Sequence, residues 1–307
     1  ARQITTNPAY DTDPLWSPDG KSIIFASYRD KSKDIYRIPA TGGAPVRLTS
    51  HPGNETPMTV LDDGSVIFSA SIQQDARYGD FPGGSQVYMI GPDGGRPEMV
   101  TSMQISNMSV RLDNTVIYED YKGYEDPLRK HHTSSVTHDI WIYVPSEDHE
   151  KVEISINGNG DFTKLTTFSG EDRNPVFAPT GGMEGDSFYY LSEQDGTYNI
   201  YYSGSLQDEI FASGEPKMQP KQITFYKGNP VRHLSISNNE ILCYSYDGEL
   251  YTIDTQKGDG PQKVQIEIVT DRIEKAVQER TMTSGASSVA VSPDEKEVAL
   301  VLRGDVF

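Results

Sequence analysis

A repeated segment along the 307-residue chain constrains its fold more than any other sequence feature. The fullest copy runs from Asp13 to Thr49 and contains four short runs rich in aromatic and β-branched residues. Turn residues separate these runs. Ser17-Pro18-Asp19-Gly20 offers a fixed φ at proline and a positive φ at glycine, and Gly42-Gly43 follows the third run. Each copy is therefore predicted to be an antiparallel meander of four strands.

Four less complete copies follow, and a sixth stops after three strand-like runs. These copies span residues 57–101, 108–166, 175–224, 231–264 and 288–307. Repeats with four strands each are typical of propeller blades, whereas solenoid repeats carry one or two strands or helices. We predict an all-β fold, a six-bladed β-propeller of four-stranded antiparallel blades.

The two ends of the chain suggest how this ring closes. The last copy lacks its fourth strand, and Arg2-Gln3-Ile4-Thr5 matches the fourth-strand run Gln222-Ile223-Thr224. We expect the N-terminal strand to complete the last blade, because pairing removes exposed sheet edges. Residues 1–270 would hold the blades, and 271–287 a charged linker or insertion, partly helical. Residues 288–307 would close the ring with residues 1–5 or begin a second propeller. The start at Ala1, without Met, suggests that preceding residues have been removed, with any export signal.

Charge and hydropathy exclude several classes of partner. The net charge is −18, with 45 acidic and 27 basic residues. Nucleic acid requires a basic surface that displaces counterions from phosphates, so we expect no nucleic-acid partner. No stretch approaches the roughly eighteen apolar residues that span a bilayer, so we expect no membrane insertion. The single cysteine, Cys243, allows no intrachain disulfide and lies in an apolar run, where a buried small side chain is expected.

Three histidines cluster in one segment: His131, His132 and His138, beside Asp139. Imidazole and carboxylate can hold a metal, but the spacing matches no helical metal motif, and adjacent residues of an extended chain point to opposite faces. We predict no metal and no cofactor. We interpret residues 121–137 as a long loop that covers one mouth of the channel, where binding residues usually lie. The candidate binding residues are Tyr124, Arg129, His131, His132 and His138.

Acidic residues recur at the start of the third strand of a repeat, at Asp34, Asp139 and Asp305. Such a carboxylate can cap backbone N–H groups or pair with a neighbouring blade. The alternative is an acidic ring that attracts the cationic ends of peptides. Ser134 and Ser135 lie near the histidines, but nucleophilic catalysis needs Ser and His to meet with a third orienting group. We predict no catalytic residue in this chain.

The repeat motif also resembles known families. Trp-Ser-Pro-Asp-Gly-Lys at 16–21, followed by Asp-Ile-Tyr at 34–36 and Arg-Leu-Thr at 47–49, resembles the repeat of the Tol-system periplasmic propeller protein and of tricorn-type proteases. Segments 124–141, 170–177 and 303–307 resemble the N-terminal region of tricorn-like serine peptidases exported by Bacteroidetes. The resemblance implies two tandem propellers, then a PDZ-like domain and a serine-peptidase core. The family's nucleophile and its partners have no matching positions here.

Three functions are compatible with these features. The first is a non-catalytic propeller that recognises or gates peptide substrates for a serine peptidase further along the same polypeptide, with peptides and the downstream domains as partners. The second is a Tol-like periplasmic module that docks a protein partner through one propeller face. The third is a metal-dependent oligouronide lyase, since some such enzymes are propellers with histidine ligands. The expected location is periplasmic or exported. Fold alone does not choose between these functions.

Overall fold

The computed structural model describes residues 2–72, 84–124, 133–146, 156, 160–179, 187–204, 220–266, 284–302 and 305–306. Within these ranges there are 23 strands and no helix, which confirms the all-β prediction. Two units are distinguished by their internal contacts: residues 2–265, and a smaller unit within residues 266–307.

The larger unit contains five antiparallel sheets of four strands, each in sequence order. Blade 1 consists of β1 (Asp11–Trp16), β2 (Ser22–Ser27), β3 (Asp34–Pro39) and β4 (Val46–Arg47). Blade 2 consists of β5 (Glu55–Val60), β6 (Val66–Ala70), β7 (Gln86–Ile90) and β8 (Glu98–Thr101). Blade 3 consists of β9 (Ile105–Val110), β10 (Val116–Asp120), β11 (Ile140–Pro145) and β12 (Gly160–Lys164).

The remaining two blades have the same order of strands. Blade 4 consists of β13 (Asp172–Phe177), β14 (Phe188–Ser192), β15 (Asn199–Ser203) and β16 (Lys221–Gln222). Blade 5 consists of β17 (Arg232–Ile236), β18 (Ile241–Tyr246), β19 (Glu249–Asp254) and β20 (Gln262–Lys263). The first strands of adjacent blades contact one another from β1 to β17, so the first strand of each blade lies nearest the axis.

Apolar side chains fill the space between neighbouring blades. Val66, Ile67 and Phe68 of β6 are all fully buried, because one face of blade 2 packs on blade 1 and the other on blade 3. A strand covered on both faces needs a continuous apolar run rather than an alternating one. This explains the short continuous runs of the sequence. Blades 3 and 4 pack in the same way through Ile117 and Phe188, among others.

The turn between the first and second strands requires a left-handed residue in each described case. In this turn the φ angle is +66° at Gly20, +86° at Gly64 and +63° at Asn114. Glycine and asparagine tolerate this conformation, which explains the Pro-Asp-Gly signature of the repeat. Glutamate occupies the equivalent position twice: Glu240, with φ +57°, and Glu295, with φ +59°.

The threonine of the Arg-Leu-Thr run ties the short fourth strand to the third. Its hydroxyl oxygen accepts a hydrogen bond from the backbone N–H of an isoleucine near the start of the third strand. The pairs are Thr49 with Ile35 at 2.9 Å, Thr166 with Ile140 at 3.0 Å, and Thr224 with Ile200 at 2.9 Å. The motif therefore satisfies a buried donor that the short outer strand leaves unpaired.

The predicted count of six four-stranded blades is wrong. Five such blades lie in the larger unit, and the remaining strands form a three-stranded sheet in the smaller unit. Its strands are β21 (Ala286–Val291), β22 (Val298–Leu302) and β23 (Asp305–Val306). Residues 267–283, which include most of the predicted linker, lie outside the described residues. The division of domains, including whether 288–307 begin a second propeller, stays a prediction.

The N-terminal residues Arg2 to Thr5 do not form the expected closing strand. Arg2 donates a hydrogen bond from Nη2 to the backbone oxygen of Ala40 at 2.8 Å. Ile4 packs against Phe25 and Tyr36 of blade 1. The apolar side chain that suggested a strand is thus partly buried against the side of blade 1, and such packing requires no strand pairing.

Candidate functional site

A polar cavity of about 240 Å³ lies between the first strands of blades 3, 4 and 5. We call it the axial cavity. Its lining includes Asn107 from β9, Arg173 and Asn174 from β13, and Arg232 and His233 from β17. The repeat brings polar residues of three first strands together at the same level. The cavity is therefore lined by equivalent parts of three consecutive blades.

The first strands carry bulges at this position. The pairing register shifts between Arg173 and Val176 in blade 4, and between Arg232 and Ser235 in blade 5. Asn174 has φ +53° and His233 has φ +57°, a conformation that costs about 1 kcal/mol for a residue with a side chain. Bulges redirect side chains and leave backbone groups unpaired, and they are common beside functional sites.

A buried charge network supports the cavity wall. His138 is 2% exposed, and its Nδ1 lies 2.8 Å from Glu119 Oε1. Arg173 Nε approaches the same ring nitrogen at 2.8 Å, so the carboxylate and the guanidinium meet at the imidazole. Arg173 Nε lies 3.2 Å from Glu119 Oε1 and 3.3 Å from Glu171 Oε2. Asn174 is held against the same group, since its backbone N–H donates to Glu119 Oε2 at 2.9 Å.

These contacts decide the charge state of Glu119. Burial disfavours the carboxylate, but the hydrogen bond from His138 and the positive charge of Arg173 outweigh it and hold the pKa of Glu119 below its usual value. Burial also disfavours the charged guanidinium of Arg173, but the negative charges of Glu119 and Glu171 outweigh this effect and raise its pKa. Glu119 and Arg173 are therefore favoured in their charged forms, and their contact holds Arg173 in place beside the cavity.

Asp139 belongs to a second, separate network in blade 3. Its carboxylate pairs with Lys164 Nζ at 2.9 Å and also with Lys122. Lys122 in turn lies 3.2 Å from Asp120 Oδ2. Asp120 accepts a hydrogen bond from Trp141 Nε1 at 3.1 Å. Two lysines thus neutralise the carboxylate of Asp139, so it offers little free negative charge to a ligand.

Two carboxyl groups lie buried at junctions between blades, at the start of first strands. Glu55 of blade 2 accepts a hydrogen bond from the hydroxyl of Thr49 of blade 1. Burial, with the charge of Asp34, raises the pKa of Glu55 to about 7. Asp172 of blade 4 is 1% exposed, and burial, with the charges of Asp139 and Glu171, raises its pKa to about 7. Both groups change protonation near neutral pH.

The structure places the predicted site residues in different surroundings. Tyr124 is 80% exposed, whereas His138 and Asp139 are buried in the two networks. Arg129, His131 and His132 lie outside the described residues. Asp34 is fully buried and accepts a hydrogen bond from Arg47 Nη2 at 2.8 Å, and Asp305 begins β23.

Glu119, Arg173 and Arg232 are absent from the site predicted from the sequence. The signal that could have identified them is the position in the repeat, since Arg173 and Arg232 both precede the bulge of their first strand.

Cys243 is partly exposed rather than buried, and partial burial raises the pKa of its thiol. In the described ranges, no three His, Cys, Asp or Glu side chains are arranged to hold a metal ion. That part of the chain also contains no helix of the length and apolarity of a membrane span.

Comparisons with known proteins agree with this architecture. The family model described as the tricorn protease N-terminal β-propeller domain matches residues 1–259. The tricorn protease homolog of Saccharolobus solfataricus is 22% identical over 310 residues, covering 99% of this chain and 25% of the relative. The chain thus spans about a quarter of the length of the full-length curated relatives it matches.

Two further similarities concern the fold and the repeat. The crystal structure of the tricorn protease superposes with a TM-score of 0.67 at 18% identity, covering 100% of this chain and 27% of that one. At this identity the likeness shows the fold. The Tol-Pal system protein TolB of Bordetella pertussis is 48% identical over 42 residues, which cover 14% of this chain and 10% of that protein.

Proposed function

Because the chain belongs to the family of tricorn protease N-terminal β-propeller domains, we propose that it recognises or admits peptide substrates for a serine peptidase further along the same polypeptide. The chain corresponds to the non-catalytic N-terminal region of such a protease. Any role of the complete polypeptide, including its substrates and partners, is part of this proposal.

The axial cavity is the observation that supports peptide recognition most directly. A peptide presents amide groups and charged ends, and the cavity offers side-chain amides at Asn107 and Asn174 and a guanidinium at Arg232. Its volume of about 240 Å³ is below the range of about 300–1,000 Å³ for sites that enclose drug-sized ligands. We infer that it accepts one side chain or one chain end, while the rest of the peptide stays along the axis.

Arg232 is the residue with which to test this proposal. It is exposed on β17, whereas Arg173 is held by Glu119 and Glu171. We expect the chain to bind short unstructured peptides weakly, and Arg232→Ala to lower the affinity several-fold, measured by fluorescence anisotropy with labelled peptides. Arg96→Ala removes an equally exposed arginine from a turn of blade 2 and serves as the control. The absence of binding at millimolar peptide, or equal affinity in both variants, would refute the proposal.

A Tol-like role in protein docking, a periplasmic or exported location and a Bacteroidetes origin also remain proposals. The repeat identity to a Tol-Pal system protein supports the first two. It covers only 14% of the chain, so it bears on the repeat rather than on a shared function. An oligouronide lyase also remains a proposal, and two of its candidate histidine ligands, His131 and His132, lie outside the described residues.

A further inference from the structure

A second and larger cavity lies between blades 4 and 5, with a volume of about 630 Å³. We call it the interblade cleft. Strands β14 to β16 form one wall, and the turn before β18 and the segment 254–261 form the other. The cleft shares no lining residue with the axial cavity. Its volume falls within the range typical of small-ligand sites.

Aromatic and aliphatic side chains form much of the cleft wall. Tyr189 and Tyr202 lie on adjacent strands with their ring centroids 5.0 Å apart. Ile223 and Ile253 contribute aliphatic surface, and Phe225 is 69% exposed beside them. Flat apolar surface of this kind can stack against a planar ligand group.

Polar groups converge on the same surface. Ser187, which carries a hydroxyl, lines the cleft and is 7% exposed. Three carboxylates line the cleft with one ammonium group, Lys221. One of the three, Asp254, is paired with Lys257 Nζ at 2.7 Å. Glu240 and Asp259 outnumber Lys221, so the cleft keeps a net negative charge that a ligand would meet.

Glu240 occupies a backbone position that favours another residue. It has φ +57° at the turn position where blades 1 to 3 carry Gly20, Gly64 and Asn114. The hydroxyl of Thr255 donates to the backbone oxygen of Glu240 at 2.9 Å and lies 3.3 Å from its Oε2, so it packs against this turn. Glycine adopts this conformation freely, so replacement of Glu240 by glycine removes the charge without disturbing the turn.

We propose that the interblade cleft binds a guanidinium group, presented by an arginine side chain of a peptide. A guanidinium is planar, so it stacks on tyrosine rings, and its N–H groups donate to a carboxylate and a hydroxyl at the same time. Tyr202, Glu240 and Ser187 offer these three partners in one cleft. The net charge of −18 favours the approach of cationic peptides. This site is additional to the axial cavity and does not depend on its function.

The test compares two peptides that differ in one nitrogen of one side chain: acetyl-Gly-Arg-Gly-amide, and the same peptide with citrulline, in which a carbonyl oxygen replaces one NH2 group of the guanidinium. Citrulline keeps the planar shape but is neutral. We expect the arginine peptide to bind the 307-residue chain at least about 10-fold more tightly by isothermal titration calorimetry, a difference of about 1.4 kcal/mol. Glu240→Gly is expected to weaken arginine-peptide binding at least about 5-fold while the unfolding free energy stays equal or rises.

Glu295→Gly is the matched control, because it removes the same charge from the same turn position in the three-stranded sheet. This variant should bind the arginine peptide as the wild type does. Equal affinity for the two peptides, unchanged binding by Glu240→Gly, or equal losses in both glycine variants would each overturn the proposal. The axial-cavity proposal is tested by Arg232→Ala and this one by Glu240→Gly, so the failure of one proposal can be told apart from the failure of the other.

Discussion

Replacement of the buried Asp172 by asparagine should change how the stability of the chain depends on pH. Burial raises the pKa of Asp172 from 3.8 to about 7 in the folded state. Between about pH 4 and pH 7 the folded state therefore binds more protons than the unfolded state, and the free energy of unfolding falls as the pH rises through this window. The contribution of this group is fully present below about pH 4 and is lost above about pH 7.

The size of the effect follows from the two pKa values. A shift from 3.8 to about 7 corresponds to about 4 kcal/mol, since one pKa unit is worth about 1.4 kcal/mol. Local relaxation and water entry reduce such penalties, so we expect a change of about 2 to 4 kcal/mol. An asparagine side chain cannot ionise. As the pH rises from 4 to 8, the free energy of unfolding of Asp172→Asn should therefore increase by this amount relative to that of the wild type.

Urea denaturation at pH 4, 5, 6, 7 and 8, followed by tryptophan fluorescence, measures this difference directly. Glu98→Gln is the control, because it removes a carboxylate from an exposed position of β8. The control should show a nearly constant difference from the wild type. A constant difference for Asp172→Asn across the same range would refute the assignment of a near-neutral pKa to this buried carboxyl.

Two other predictions concern the blade junctions and the outer strands. Burial raises the pKa of Glu55 to about 7, so Glu55→Gln should flatten the decline in stability between about pH 4.5 and pH 7. The effects of Glu55→Gln and Asp172→Asn should add in the double variant, because different blades hold the two groups; a strongly non-additive result would contradict independent sites. Thr224→Val leaves the buried N–H of Ile200 unpaired and should lower the unfolding free energy by about 1 to 3 kcal/mol. Thr224→Ser keeps the hydroxyl and should lose much less, and equal losses would contradict the role of the hydrogen bond.

Local features of the sequence were sufficient to predict the blades. The turn from Ser17 to Gly20 needs a residue with positive φ at its end, and the sequence places a glycine there. The strands beside the turn are short apolar runs. Antiparallel pairing through such tight turns joins neighbours in the chain. For this reason the four-stranded meanders and the all-β class could be predicted from the repeat without any long-range information.

The number of blades and the role of the N-terminus could not be predicted in this way. Arg2 to Thr5 resemble a fourth strand, but Ile4 instead packs, partly buried, against Phe25 and Tyr36 of blade 1. A strand-like run in the sequence shows only that the segment could pair with another strand. The contact that Ile4 makes instead depends on a surface of blade 1, which exists only after blade 1 has folded.

The sequence by itself determined the strands, the turns and the family resemblance, because these depend on neighbouring residues. Only the tertiary structure decided which charges meet. Glu119, His138 and Arg173 lie on different blades or strands, and their contact holds Arg173 beside the axial cavity. Likewise, Tyr202 and Glu240 line one cleft because blades 4 and 5 pack together. The repeat that defines each blade thus also places these groups, but the packing between blades determines their charge and their partners.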